Sequence, residues 1–297
     1  MTSQITSQMT ILDSLMNASK TFIFVDGSYY SFHRYYSILR WRTCAHPEES
    51  KDDPFNNKVF VEKFQKTFVD NLKSIPRNLG LHKEAEDLNE NKPIMIVGKD
   101  CPREDIWRNA MHDNYKGNRK NGPEDGFMGG PFIKMAYNND LFLKGGAKAI
   151  LSYPHLEADD CIAISVKYLL EKYTDVRIYI ITSDKDYLQL VEPRVQIFDL
   201  AFKNLAQQKS STGDAKIDLF CKIVMGDPSD NITSVLKKCG PKTAKKCYYD
   251  REYFQERMTA ENAFLKFEIN QIMVDFNYIP QDLQCAFLES ICISDKK

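Results

Sequence analysis

Four short apolar runs in this chain each lead into a carboxylate, and that arrangement limits the fold more than any other feature. Phe22-Ile-Phe-Val25 runs into Asp26, and Ile94-Met-Ile-Val97 precedes Asp100. Ala147 to Ser152 leads toward Glu157, Asp159 and Asp160, and Val176 to Thr182 leads into Asp184 and Asp186. Short continuous apolar runs between polar turns fit strands buried on both faces. Helical-period segments lie between them at 29–41, 59–75 and 156–173, and a fifth strand is expected at 195–198. Strands alternating with helices predict an α/β fold with a mostly parallel central sheet flanked by helices.

In such sheets the carboxyl edge is where ligands bind, so these acids converge on one cleft although they are far apart in sequence. Asp184 and Asp186, two apart at a strand end, point to one side, and Glu157 and Asp160, three apart at a helix start, share a face. Carboxylates so crowded repel one another unless cations compensate them. Oxygen ligands without His or Cys suit Mg²⁺ or Mn²⁺, and two such ions are suited to an in-line phosphoryl displacement. Taken singly, each acid reads equally well as a solvated surface group. Acids at four successive strand ends do not.

A basic segment follows the second strand. Arg103 to Tyr115 reads as a helix, and beyond it Tyr115, Lys116, Arg119 and Lys120 lead into a glycine-rich stretch that runs to Gly146 and reads as an irregular insertion. Lys116 and Arg119 suit the gripping of a phosphate, and Tyr115 the stacking of a base. A solvated basic helix end is the competing account. Past Ser210 the pattern turns helical, at 217–225, 241–249 and 259–267. There Gly240-Pro241 opens a helix among Lys237, Lys238, Lys242, Thr243, Lys245 and Lys246, a set suited to phosphate contact or to a plain solvated face.

Composition bounds the rest. With 43% apolar and 27% charged residues in 297, the chain is expected to be folded and soluble, and a net charge of −1 excludes a uniformly basic coat for nucleic acid. Eight cysteines without a C-x-x-C pair read as reduced thiols in an intracellular protein of cytoplasm or nucleus. Residues 1–20 read as a polar tail without the features of a signal peptide, and no run is long enough to span a bilayer.

Phe24-Val-Asp-Gly27, Trp107 to Arg119, Glu157-Ala-Asp-Asp160, Thr182-Ser-Asp-Lys-Asp186 and Gly226-Asp-Pro-Ser-Asp-Asn231, in this order, resemble the flap-endonuclease superfamily of 5′-nucleases, closest to its phage-type ribonuclease H branch. The resemblance implies a PIN-like nuclease domain over 21–210, an arch or gateway insertion near 117–147, and a helix-three-turn-helix module over 211–297. It implies that Asp26, Asp100, Glu157 and Asp159 surround one metal, that Asp184, Asp186 and Asp230 lie nearer a second, and that Lys116 and Arg119 stand at the base of the arch. It also implies a K⁺ site in the helical module, although the turn Ser234 to Gly240 departs from the family's glycine-rich form. The expected activity is 5′→3′ exonuclease and flap endonuclease on branched or 5′-ended DNA and RNA–DNA hybrid. Its setting is replication or repair, as a monomer working beside single-strand-binding protein or other replication machinery, in a cell or a phage. A haloacid-dehalogenase-type phosphatase needs an Asp where Ser28 stands, and a non-catalytic DNA-structure-binding protein has no need of so complete an acid set.

Overall fold

In the first strand, β1 (Thr21–Asp26), alternate side chains part to opposite faces: Phe22 and Phe24 join one apolar cluster, Ile23 and Val25 another, and all four are fully buried. The next strand, β2 (Ile94–Gly98), repeats the division, with Ile94 and Ile96 on the first face and Met95 and Val97 on the second. This period of two, apolar on both sides, is why the runs are continuous rather than alternating. With β3 (Ala147–Leu151), β4 (Arg177–Ile181) and β5 (Val195–Phe198) they form a five-stranded sheet in the order β3-β2-β1-β4-β5, parallel throughout. The expected α/β sheet and each of its strands are present. The computed structural model describes residues 9–49, 53–81, 92–119 and 126–292, and no helix among them is long and apolar enough to cross a membrane.

One face is covered by α2 (Gly27–Ala45), α3 (Lys58–Asn78), α4 (Gly130–Asn138) and α5 (Leu141–Lys144), through aromatic residues such as Tyr30, Phe64, Phe68, Phe132 and Phe142. The other face carries α6 (Ala158–Lys172), whose Cys161, Ile162, Ile164 and Val166 lie in the first cluster. Gly27 is held to glycine by close approach. A Cβ there would lie 2.4 Å from the Tyr137 hydroxyl oxygen and 2.5 Å from the Gly98 carbonyl oxygen, so α2 can start hard against β2 only without one.

Beyond β5 come α7 (Ala215–Met225), α8 (Pro241–Tyr249), α9 (Arg251–Ala260) and α10 (Phe264–Val274), packed around Val224, Leu236, Cys247 and Met258. All eight cysteines are free.

Four expectations need correction. The helix expected over Arg103 to Tyr115 is two 3₁₀ turns, Arg103–Asp105 and Trp107–Ala110, because Ile106 adopts an extended ψ of 130° between them, which turns Trp107 and Arg108 inward. The insertion is irregular only in part: from Gly130 it is helical, and Phe132, Ala136, Leu141 and Phe142 are core residues, their spacing hidden by the glycines around them. The helix expected over 259–267 is interrupted, α9 ending at Ala260 and α10 starting at Phe264, with Asn262 in the left-handed region at φ 47°. The chain ends also differ from the expected tail and module. Residues Ile11–Met16 form α1, with Leu12 and Met16 buried, and α11 (Gln281–Ser290) returns Phe287 to the same cluster. Ile11 N–H donates to the Ile291 carbonyl at 2.8 Å, which joins the two ends.

Asp13 anchors this return. Its carboxylate, 5% exposed, accepts from the Tyr168 and Tyr173 hydroxyls at 2.8 and 2.7 Å and pairs with Lys172 at 2.9 Å. Burial pushes its carboxyl up, but Lys172, the Tyr173 hydroxyl and the Thr10 N–H outweigh it and hold it far below the usual carboxylate range. A depressed folded value means that the stabilisation is complete above the unfolded value of about 4 and is lost as pH falls toward the folded one. Asp13→Ala is expected to cost about 1.5–3 kcal/mol at pH 7, the range for hydrogen bonds to a charged group. The difference from wild type in chemical denaturation should shrink steadily below about pH 4; a constant difference down to pH 2 would remove the charge from this account.

Candidate active site

Each acid is positioned by a backbone feature as well as by sequence order. Asp26 ends β1 and caps α2, accepting the Tyr29 N–H at 2.9 Å. Asp100 lies past β2 and accepts the Ala158 N–H at 2.8 Å and the Ser28 hydroxyl. Glu157 caps α6, and Asp184 caps the 3₁₀ turn Lys185–Leu190 by accepting the Asp186 N–H at 2.9 Å. Carboxylates are favoured at these starts because the first N–H groups of a helix have no partner in it.

The carboxyl edge of the sheet thereby forms a cleft of about 390 Å³ lined by Asp26, Asp100, Glu157, Asp159 and Asp184, with Lys116 and Arg119 at its wall. Burial, and then the Asp100 and Asp184 charges, push the Asp26 carboxyl up to about 7. Burial, Asp160 and Glu157 likewise raise Asp159 well above the carboxylate range. Glu157 goes the other way: burial pushes it up, but the Lys116 and Arg108 charges prevail and hold it below its ordinary value. Among the described residues no ion pair reaches Asp26, Asp100, Asp159 or Asp184.

A second acid group adjoins the first. Asp186, Asp227 and Asp230 each present a carboxylate oxygen within 4.8 Å of the others. Asp230 arrives from the helical part through the 3₁₀ turn Pro228–Asp230, and Asp227 caps that turn. Gly226, at φ 72° and with no room for a Cβ beside the Ile232 carbonyl oxygen 2.4 Å away, allows the chain to fold back. This group is already paired. Lys222 reaches Asp227 at 2.8 Å and also contacts Asp186; Arg119 contacts Asp230; Lys116 contacts Glu157 and lies 3.8 Å from Asp230.

Glu157, Asp159 and Asp160 also each present a carboxylate oxygen within 4.8 Å of the others, but within this group Asp160 is engaged by the protein's own donors. It is wholly buried, and its oxygens accept from both terminal nitrogens of Arg108 at 2.9 and 2.8 Å, from Trp107 Nε1 at 3.0 Å and from the Glu157 N–H at 3.1 Å. It holds Arg108, and Arg108 in turn holds Glu157 at 3.0 Å. Tyr115 is not available to stack on a base either. It is 6% exposed, packed with Ile223 and Met273, and its hydroxyl donates among Glu157 at 3.0 Å and Asp230 at 3.3 Å.

The lysines assigned to phosphate contact divide into two groups. Lys242 and Lys245 join Lys185, Lys209 and Lys222 around a second cavity of about 550 Å³, between the Lys185–Leu190 turn, α7 and α8. Lys237 and Lys238 are exposed on the turn before Gly240, which caps α8 beside Thr243, and Lys246 turns away to lie 3.6 Å over the Tyr253 ring. Lys120 lies outside the described residues.

Sequence reasoning missed Arg108, Asp227 and Lys222. Asp227 stands in the quoted Gly226–Asn231 segment, but only the backward turn shows it facing Asp186. Lys222 looked like an ordinary lysine in the last turn of α7.

The cluster as a whole offers oxygen donors alone, two of them, Asp26 and Asp159, raised by burial and by neighbouring carboxylates, which is the donor set that a hard divalent cation relieves. The residues present therefore fit a divalent metal centre.

The model of the 5′-3′ exonuclease, N-terminal resolvase-like domain, matches residues 21–218. Ribonuclease H of Enterobacteria phage T4 is 29% identical over 231 residues, covering 71% of this chain and 72% of that protein. A 5′-3′ exonuclease of Buchnera aphidicola is 30% identical over 227 residues, covering 75% and 68%. The solved structure of the phage T5 5′-exonuclease with bound zinc superposes with a TM-score of 0.57 at 18% identity, covering 91% of this chain and 98% of that one, which is a likeness of fold.

The raised Asp26 carboxyl sets a pH dependence. Its folded value lies above the unfolded one, so between about pH 4 and 7 the folded state binds the extra proton and stability falls as pH rises. With a chelator present, Asp26→Asn is expected to be more stable than wild type near pH 8 and to flatten that fall, read as melting temperature against pH. Parallel profiles for the two proteins would show that Asp26 carries no such strain.

Proposed function

The chain belongs to the 5′-3′ exonuclease family, and on that premise we propose that it is a metal-dependent nuclease that removes 5′-ended strands from branched or nicked DNA, RNA primers included. The observation that carries the reading is the convergence of Asp26, Asp100, Glu157, Asp159 and Asp184 on one cleft, with Asp186, Asp227 and Asp230 adjoining and Lys116 and Arg119 at the wall. The proposed ions are Mg²⁺ or Mn²⁺, the hard cations that an all-oxygen set prefers. Asp26, Asp100, Glu157 and Asp159 would hold one, and Asp186, Asp227 and Asp230 the other, with Asp184 between them. When bound, such a pair supplies charge stabilisation on both sides of an in-line displacement at phosphorus.

The chain's own residues do the rest. Arg119, its side chain 39% exposed, and Lys116 stand where a phosphate entering the cleft would meet them, and both can exchange a carboxylate for a phosphate oxygen. Glu157 is kept ionised by Arg108 and Lys116, and Tyr115 fixes its orientation. Water adding at phosphorus with the 3′ oxygen as leaving group would break the P–O3′ bond, so the products would carry a 5′-phosphate and a 3′-hydroxyl. The lysines around the second cavity, Lys242 and Lys245 among them, would receive the phosphates of the duplex that continues away from the cut. At the turn before Gly240, where a K⁺ is expected, Lys237 and Lys238 are exposed and the Lys237 carbonyl already accepts from Arg257 at 2.8 Å, which leaves fewer free carbonyl oxygens for that ion.

The test is incubation with 5′-labelled flap, nicked and blunt DNA, with Mg²⁺ and with a chelator. Wild type should cut the flap and nick only with metal, and Asp186→Asn should still bind DNA but lose at least a hundredfold in single-turnover rate. Cleavage by Asp186→Asn at the wild-type rate would remove this carboxylate from the mechanism.

A second outcome concerns affinity. Lys242→Ala with Lys245→Ala should reduce the slope of log affinity against log salt by roughly 0.9 per lost duplex contact, while turnover at saturating DNA stays near normal. An unchanged slope on duplex DNA would return these lysines to a solvated face.

A further inference from the structure

The two acid groups differ in how their charge is met. In the first, Glu157 is paired with Arg108 and Lys116, while Asp26, Asp100, Asp159 and Asp184 form no ion pair among the described residues. In the second, Asp186, Asp227 and Asp230 face Lys222, Arg119 and Lys116, so three carboxylates meet three cations. Lys222 is the most committed of these. It projects from the last turn of α7 between Asp186 and Asp227, its side chain only 19% exposed, and occupies the side on which both carboxylates face each other. A helix-ending lysine needs no such partners, since the terminal carbonyls and water suffice.

From this geometry we infer that Lys222 is a built-in counter-ion that competes with the second divalent ion for Asp186 and Asp227. The inference rests on the metal-site reading above. An ammonium seated here opposes a divalent cation: Lys222 lies on Asp186 Oδ1 and Asp227 Oδ2, Ser229 takes Asp227 Oδ1, and the two positive charges repel. Metal entry therefore requires the ammonium to leave. Its exit is already built, because Lys222 also lines the second cavity, with Lys185, Lys209, Lys242 and Lys245 around the same space. Beyond Asp227 that space holds one further carboxylate, Asp218, against the four other lysines, and its net positive charge disfavours the move until an anion arrives. The phosphates of a bound strand supply one, so the second ion fills readily once nucleic acid lies in that cavity and weakly before. Lys222 is in this sense a positioning residue, acting on metal occupancy rather than on the reacting bond.

The experiment counts Mn²⁺ bound to the full chain by calorimetry and by the electron-paramagnetic signal of free Mn²⁺, without DNA, for wild type, Lys222→Met and Lys222→Arg. Wild type should show one tighter and one weaker ion. In Lys222→Met the weaker ion should bind at least tenfold tighter, with the tighter one within about twofold of wild type. Lys222→Arg keeps the charge and offers carboxylates a bidentate fork, so it should leave the weaker site as weak or weaker. Melting in chelator guards against a folding defect: Lys222→Met should melt lower than wild type without metal and gain more from added Mn²⁺. An unchanged or weakened second ion in Lys222→Met would overturn the inference and leave the metal site standing. No bound Mn²⁺ in wild type would overturn both.

Discussion

A single buried guanidinium joins the parts of this molecule that the sequence keeps far apart. Arg108, 2% exposed, donates to both oxygens of Asp160, to Glu157 and, at 2.9 Å through Nε, to the Met273 carbonyl. Those contacts tie the segment after β2 to the start of α6 and to the end of α10. Burial works against the charge of Arg108, but Asp160 and its neighbours more than restore it, so the guanidinium stays protonated. A buried pair of this kind is weak evidence for net stability, since well-packed apolar groups often do as well. Its value here is geometric. Breaking one side would strand a charge in the interior, at a cost of about 3–5 kcal/mol, and the orientation of Glu157 would go with it.

Around that fixed point Glu157, Asp186, Asp227 and Asp230 are ion-paired, whereas Asp26, Asp100, Asp159 and Asp184 form no ion pair among the described residues. Within the unpaired set, Asp26 and Asp159 are raised by burial first and by neighbouring carboxylates next. Within the paired set, Asp227 is held down to about 2: burial opposes this, and Lys222 and Ser229 prevail. Such asymmetry suits ordered filling, in which one ion is held by the protein and the next waits for charge brought by the substrate. The same cations then have two uses, as partners of acids at rest and as partners of phosphate at work.

Much of this was legible in the sequence because it depends on local periodicity. The continuous apolar runs of β1 and β2 gave the parallel sheet, and parallel connection alone puts Asp26, Asp100, Glu157 and Asp184 at one edge. What stayed hidden depends on three-dimensional closure. Nothing within Trp107 to Tyr115 says that Arg108 and Tyr115 turn inward, since their partners come from α6 and from the 3₁₀ turn at Asp230, about fifty and over a hundred residues away. Asp160 looked like one more acid at a helix start because spacing cannot show which oxygens are already taken. The same holds at the ends of the chain: the polar residues around Ile11–Met16 mask Leu12 and Met16, which join the cluster that α6 and α11 also enter.

The most direct test of the central claim is anomalous diffraction from crystals of the protein soaked in Mn²⁺. The account expects one peak among Asp26, Asp100, Glu157 and Asp159, and a second, of lower occupancy, beside Asp186, Asp227 and Asp230, with Lys222 moved off those acids wherever the second peak appears. No peak at the first group, or a full second peak with Lys222 still seated between Asp186 and Asp227, would contradict it.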